Sequence, residues 1–255
     1  MVSVLAVWLV GKHRGPADPS PGLKAIASGY APLWRDTRWG LVGASTIEVQ
    51  NRAYVFMLEI FRTARDIAEV QAGRLLMGPL PLLVGAWGRV ARPVLAKKLA
   101  AGDTRAALRI MLTGLACMTA AGLVFAVAIA VAWPLIERVI FRGRYPHVAE
   151  MTAAWTIYTL LAISHMVLSA PLIAALRLKE LSHVTMVTAV VSLVLLLGLA
   201  TPVSALFAVG AGIFCELIAL VWIAILVHRL FRDLGRSPAP AIPQLLPAAA
   251  NMGHP

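Results

Sequence analysis

From Ala106 to Trp133 the chain carries no carboxylate, and Leu108, Leu112, Leu115, Val124, Phe125, Val127, Ile129 and Val131 stand among alanines and glycines. An α-helix needs roughly 20 such residues to cross a hydrocarbon core about 30 Å thick. Apolar runs of this kind recur along the chain, five or six in all, with short charged turns between them. The solvent for this fold is therefore the bilayer, and a water-soluble fold is excluded.

Composition carries the same message. Hydrophobic residues are 60% of the 255 and charged ones 14%, where soluble domains hold about 25% charged residues. The charges are mostly basic, 23 Lys and Arg against 12 Asp and Glu. An excess of that kind can serve nucleic acid. Here the cations sit largely in turns between apolar runs, as loops beside anionic headgroups do, and turns this short build no basic groove with interleaved aromatics. No nucleic-acid partner is expected. Cys117 and Cys215 lie inside apolar runs; two distant thiols give neither a disulfide framework nor metal spacing, and both read as packing residues.

The expected fold is an all-α membrane protein, a bundle of six transmembrane helices. Residues 1–10 are apolar but span only half a bilayer and lack the marks of a signal peptide, so they read as the remnant of a preceding helix. Residues 11–38 hold Lys12, Arg14, Pro16, Pro19, Pro21, Lys24, Pro32, Arg35 and Arg38, and this proline-rich basic stretch reads as a loop on the membrane surface. Residues 39–232 form the six-helix lobe, with spans near Gly40–Phe61, Val70–Leu95, Ala106–Trp133, Ala149–Leu176, His183–Ala200 and Val203–Leu230. Thr201 and Pro202 would close a tight hairpin between the last two. Residues 233–255, with Pro238, Pro240, Pro243 and Pro247 among alanines, read as a disordered tail.

The positive-inside rule sets the orientation. Placing the 11–38 loop in the cytoplasm puts sixteen basic residues inside and six outside: Arg62, Arg65, Arg74, Arg138, Arg142 and Arg144. Both termini are then cytoplasmic.

The first span differs from the rest. At 100° per residue, Ser45, Glu48, Asn51, Arg52, Glu59 and Arg62 share about one third of the helix surface. Glu48 precedes Arg52 by one turn, the favourable order for an ion pair. One reading is a helix facing a water-filled translocation cavity, with Glu48, Asn51, Arg52 and Glu59 as substrate-cavity residues and Arg52 as the cation for an anionic substrate. The other is a structural ion pair joining this helix to a neighbour. Glu216, within the last span, must pair, become protonated or face water; it is either a coupling carboxylate or the partner of a base such as Arg52. His165 reads as a hydrogen-bonded structural histidine. Gly78, Pro79 and Pro81 predict a kinked, tightly packed second span, suited to a moving gate or to packing alone. No catalytic constellation, metal-ligand set or cofactor loop is present, so neither an enzyme nor a cofactor is expected.

Three turns complete the pattern. The segment from Gly78 to Asp103 (GPLPLLVGAWGRVARPVLAKKLAAGD) resembles the helix and cytoplasmic turn midway through the second lobe of the polysaccharide and lipid-linked oligosaccharide flippases of the multidrug/oligosaccharidyl-lipid/polysaccharide superfamily. Ile140–Glu150 (IFRGRYPHVAE) is similar to the periplasmic turn of that lobe, and Ala174–His183 (AALRLKELSH) to the short cytoplasmic turn that follows. The resemblance covers Trp39 to Arg232. It implies two six-helix lobes around a cavity that opens alternately to either side of the bacterial inner membrane, with 11–38 as the inter-lobe loop. Arginines in that cavity meet the pyrophosphate of a polyprenyl-linked sugar, of O-antigen or lipid II type; Arg52 is carried over by its place in the first helix of the lobe. The implied partners are the lipid-linked oligosaccharide, the bilayer, and a complementary first lobe or second copy. The first lobe is absent from this chain, so the isolated chain is expected to be inactive. Alternatives are a multidrug or cation antiporter fragment of the same superfamily, and an integral-membrane glycosyl-transfer enzyme or polymerase, which needs a longer extramembrane loop than any here.

Overall fold

The computed structural model describes residues 23–61, 63–198 and 205–236, the side chains at 23–33, 35–37, 51, 54, 57–58, 61 and 205 excepted. Met1–Arg38 and Trp39–Pro255 are two separate units. Every regular element among the described residues is helical: α1 (Leu23–Phe61), α2 (Ala64–Leu76), α3 (Pro79–Ala100), α4 (Thr104–Ile136) continued by a π turn (Glu137–Phe141), α5 (Val148–Ala174), α6 (Leu178–Gly198) and α7 (Ala205–Arg236).

Four of these, α4 with its π turn, α5, α6 and α7, are long and apolar enough to cross a membrane, and the bent pair α2 and α3 makes a fifth. These spans fit a multi-pass membrane protein. The expected first span, Gly40–Phe61, does not join them: it lies in α1, where Glu48, Arg52 and Glu59 lower the hydropathy. The 11–38 loop reading needs correction over 23–38, which are helical. Only Pro32 falls inside that helix, whereas Pro21 precedes it, where a missing donor costs nothing. The tail begins later than residue 233, because α7 continues to Arg236 with no proline before Pro238. Residues 1–22, the Thr201–Pro202 hairpin and 237–255 lie outside the described residues.

Local chemistry sets the helix ends. Thr63 caps α2 by accepting from the Asp66 N–H while the Asp66 carboxylate accepts from the Thr63 N–H, each at 3.3 Å. The expected kink is present: α2 and α3 meet at 44°. Pro79 and Pro81 cannot donate to the carbonyls of Leu75 and Met77. Those carbonyls instead accept from Gly78 and Leu80, at 3.1 and 3.2 Å, one residue short of α-helical spacing.

The second unit is organised around α5, whose buried residues run around most of its circumference: Met151, Trp155, Ile163, Val167, Ala170 and Leu172. A helix apolar all round is a central one. Near its start Trp155 donates from Nε1 to the Val70 carbonyl at 3.0 Å, joining it to α2. Near its end Ala170 packs with Leu95 and Leu99 of α3 and Ala107 of α4. Several buried hydroxyls bond inside their own helices: Thr152, Thr159 and Thr188 donate to carbonyls one turn back, at 2.7, 2.7 and 3.0 Å. A polar group without water must find such a partner. Cys215 is buried as expected, but Cys117 is exposed on α4, on the side of that helix that no neighbour covers.

Topology brings the basic turns to one end of the bundle. The ends of α3, α5 and α7 meet the start of α4 around Leu95, Leu99, Ala107, Ala174 and Leu234. Arg177, after α5, reaches Asp233 of α7 at 3.8 Å. Lys97, Lys98, Arg105, Arg109, Arg177, Lys179, Arg229, Arg232 and Arg236 all lie in these turns and helix ends.

Candidate functional site

Two polar constellations stand out among the spans. The first lies between α1 and α2, in a cavity of about 460 Å³ lined by Glu48, Arg52, Val55, Phe56, Glu59 and Arg74. Three of the four residues singled out in the sequence therefore share one pocket. The Asn51 side chain and Arg62 lie outside the described residues. Helical spacing does this directly, since Glu48, Arg52 and Glu59 differ by near-whole turns.

Within the pocket Arg52 donates from Nε to Glu48 Oε1 at 2.8 Å, and both side chains are exposed, 69% and 62%. The ion pair thus stays on its own helix and joins it to no neighbour. A guanidinium has five N–H donors, and one is used here; the terminal amino groups of Arg52 have no hydrogen bond among the described residues. They are the groups available to an anion. Arg74 of α2 also lines the pocket, its guanidinium carbon 5.5 Å from the Trp155 ring centroid. Arg74 was read in the sequence as a turn residue. The available signal was its position four residues into an expected span.

The 44° bend follows Arg74 by one turn.

The second constellation is a pair across α5 and α7. His165 Nδ1 and Glu216 Oε1 are 2.6 Å apart, with side chains 22% and 15% exposed. The expected hydrogen-bonded histidine and the expected partnered carboxylate are thus one feature. Glu216 pairs with His165 and not with Arg52, which already has Glu48. The pair lies inside the spans, where an unpaired carboxylate is costly.

Outside the spans, Asp103 caps α4 by accepting from the Ala106 N–H at 3.1 Å and from Lys98 Nζ at 3.3 Å. The Ala106 N–H first, and Lys98 next, hold its carboxyl below the usual aspartate range. Among the described residues no cluster of three His, Cys, Asp or Glu could hold a metal ion.

No protein-family model, no characterised protein and no solved structure matches the chain.

Proposed function

We propose that this chain is one six-helix lobe of an inner-membrane flippase, moving polyprenyl-pyrophosphate-linked oligosaccharide or polysaccharide precursors by alternating access together with a complementary lobe or a second copy. The observation that carries the reading is the pocket lined by both Arg52 and Arg74 beside a helix break. A pyrophosphate offers several oxygen acceptors to the terminal amino groups of Arg52, and charge-assisted hydrogen bonds of that kind are roughly twice as strong as neutral ones. Glu48 and Glu59 keep the empty pocket close to neutral, so the site does not trap its cargo. The first of the six helices of the lobe is the Trp39–Phe61 part of α1, polar because it lines the path. In this reading the basic end faces the cytosol, and both termini with it. No catalytic step is assigned.

Binding of polyprenyl pyrophosphate to the purified chain in nanodiscs tests this. Arg52→Gln should weaken binding about tenfold, and Glu48→Gln should strengthen it by freeing Nε. Equal affinity in all three proteins removes the pocket from the mechanism.

A second reading has its own observation. The His165–Glu216 pair inside the spans favours an ion-coupled antiporter of drugs or cations. Glu216→Gln would then abolish ion-driven efflux, whereas a flippase that does not use the pair would keep its lipid transport.

A further inference from the structure

The face of α7 turned away from the bundle holds a groove of about 480 Å³, lined by Leu217, Ile218, Val221, Trp222, Ile225 and Arg229. At 100° per residue these six fall within about 140° of the helix surface. They cover about 18 Å along the axis at 1.5 Å per residue, close to one leaflet of hydrocarbon. Five of the six are apolar; the sixth is a cation at the end nearest the basic turns.

The same stripe continues past Arg229. Arg232 and Arg236 lie on this face by helical spacing, and all three arginines are exposed. None of the three makes an ion pair among the described residues. Asp233, the nearest carboxylate on the helix, is engaged with Arg177 at 3.8 Å. The opposite face of α7 is occupied by the bundle, through Cys215, Ala219, Ile223 and Leu226. A half-exposed stripe therefore passes from leucine, valine and tryptophan to unpaired guanidinium groups over one leaflet's depth.

We infer that this groove is a binding site for an anionic phospholipid of the bilayer, its phosphate at Arg229 and Arg232 and one acyl chain along Leu217, Val221 and Ile225. Charge complementarity decides the occupant. A neutral protein helix would leave the arginines unpaired, and a soluble anion would leave the groove unfilled. A zwitterionic lipid fills the groove but brings a cationic group to the arginines. Trp222 packs beside the chain and reports on it. The site rests on the membrane reading of α7 alone and is independent of what the protein transports.

The test places the full chain in phosphatidylcholine vesicles containing a minor fraction of phosphatidylglycerol, with bromine-labelled acyl chains on one lipid or the other. Wild type minus Trp222→Phe isolates the Trp222 signal. The brominated phosphatidylglycerol should quench it with about fivefold preference over its mole fraction, the enrichment expected of one basic residue at the surface. Arg229→Lys should keep the preference and Arg229→Gln should lower it toward parity. Parity in the wild-type protein, or a preference unchanged in Arg229→Gln, overturns the assignment. Headgroup analysis of lipid retained through detergent purification gives a second reading without Trp222→Phe: anionic lipid enriched more with wild type than with Arg229→Gln.

Discussion

His165 on α5 and Glu216 on α7 share a 2.6 Å hydrogen bond between positions 51 residues apart. Neither has a second charged partner in the described salt bridges, so each is the other's main compensation for leaving water. Removing one should therefore cost more than removing both. His165→Leu or Glu216→Leu alone should destabilise the folded protein by about 2 kcal/mol, less than the 3–5 typical of a fully buried pair because some exposure remains. The double variant should recover part of that loss. Chemical unfolding in mixed micelles checks this; additive losses would show that the pair is not coupled.

Close approach of α2 to α5 depends on position 73. A Cβ there would meet the backbone of Met151 and Thr152 at 3.1 Å and Trp155 at 3.2 Å. Backbone cannot step aside as a side chain can, so Gly73→Ala should destabilise by about 1–3 kcal/mol. Gly85→Ala meets nothing within 4 Å and should be neutral or stabilising, by up to about 1 kcal/mol. Thermal unfolding of the two variants side by side gives the contrast; equal effects would place α2 farther from α5 than described.

The bend at Gly78 has an assignable cause. Pro79→Ala with Pro81→Ala restores two backbone donors, so α2 and α3 should straighten toward one helix. Spin labels on exposed positions 64 and 90 should move apart by about 3 Å, from the length of each arm at 1.5 Å per residue and loss of the 44° bend. An unchanged separation would assign the bend to packing against α5.

Asp103 sets a pH limit at the α4 start. Its folded carboxyl lies below the ordinary aspartate range because it accepts from Ala106 N–H and Lys98. A group shifted in that direction stabilises the fold above the unfolded value of about 3.8 and loses that contribution as pH falls through the folded value. Asp103→Asn keeps an acceptor for the N–H but removes the charge. It should flatten the acid side of the stability profile below about pH 4 while keeping most of the neutral-pH stability. An unaltered acid limb would assign acid unfolding to other carboxylates.

Several parts of this structure are written in short-range pattern. The span expected at Ala106–Trp133 is observed at Thr104–Ile136, because apolar length and the Gly-Asp turn both act locally. The proline-induced break between α2 and α3 is local in the same way. The α6 start was placed five residues late, at His183 and not Leu178, since Lys179, Glu180 and Ser182 look like turn residues. In fact Ser182 donates to the Leu178 carbonyl at 2.9 Å and also reaches Trp39 of α1. That contact is tertiary and leaves no trace in the spacing. The same holds for the site. Glu48, Arg52 and Glu59 share a face by periodicity alone, but Arg74 and the His165–Glu216 pair depend on how separate helices align. Helix register is decided by packing over whole faces, and a single chain's pattern does not encode which turn meets which.

Of the spanning helices, α4 is the least enclosed: 6% of its most apolar stretch is buried, against 33–39% in the others. One narrow strip, with Gly114 seated on the Trp87 ring and Leu115, Met118 and Phe125 alongside, holds it to the bundle. Sliding along such a strip breaks few contacts, because acyl chains refill the outer face at every step. The bundle thus has a loosely clamped runner on one flank, seated at Gly114 against the Trp87 ring and otherwise facing acyl chains.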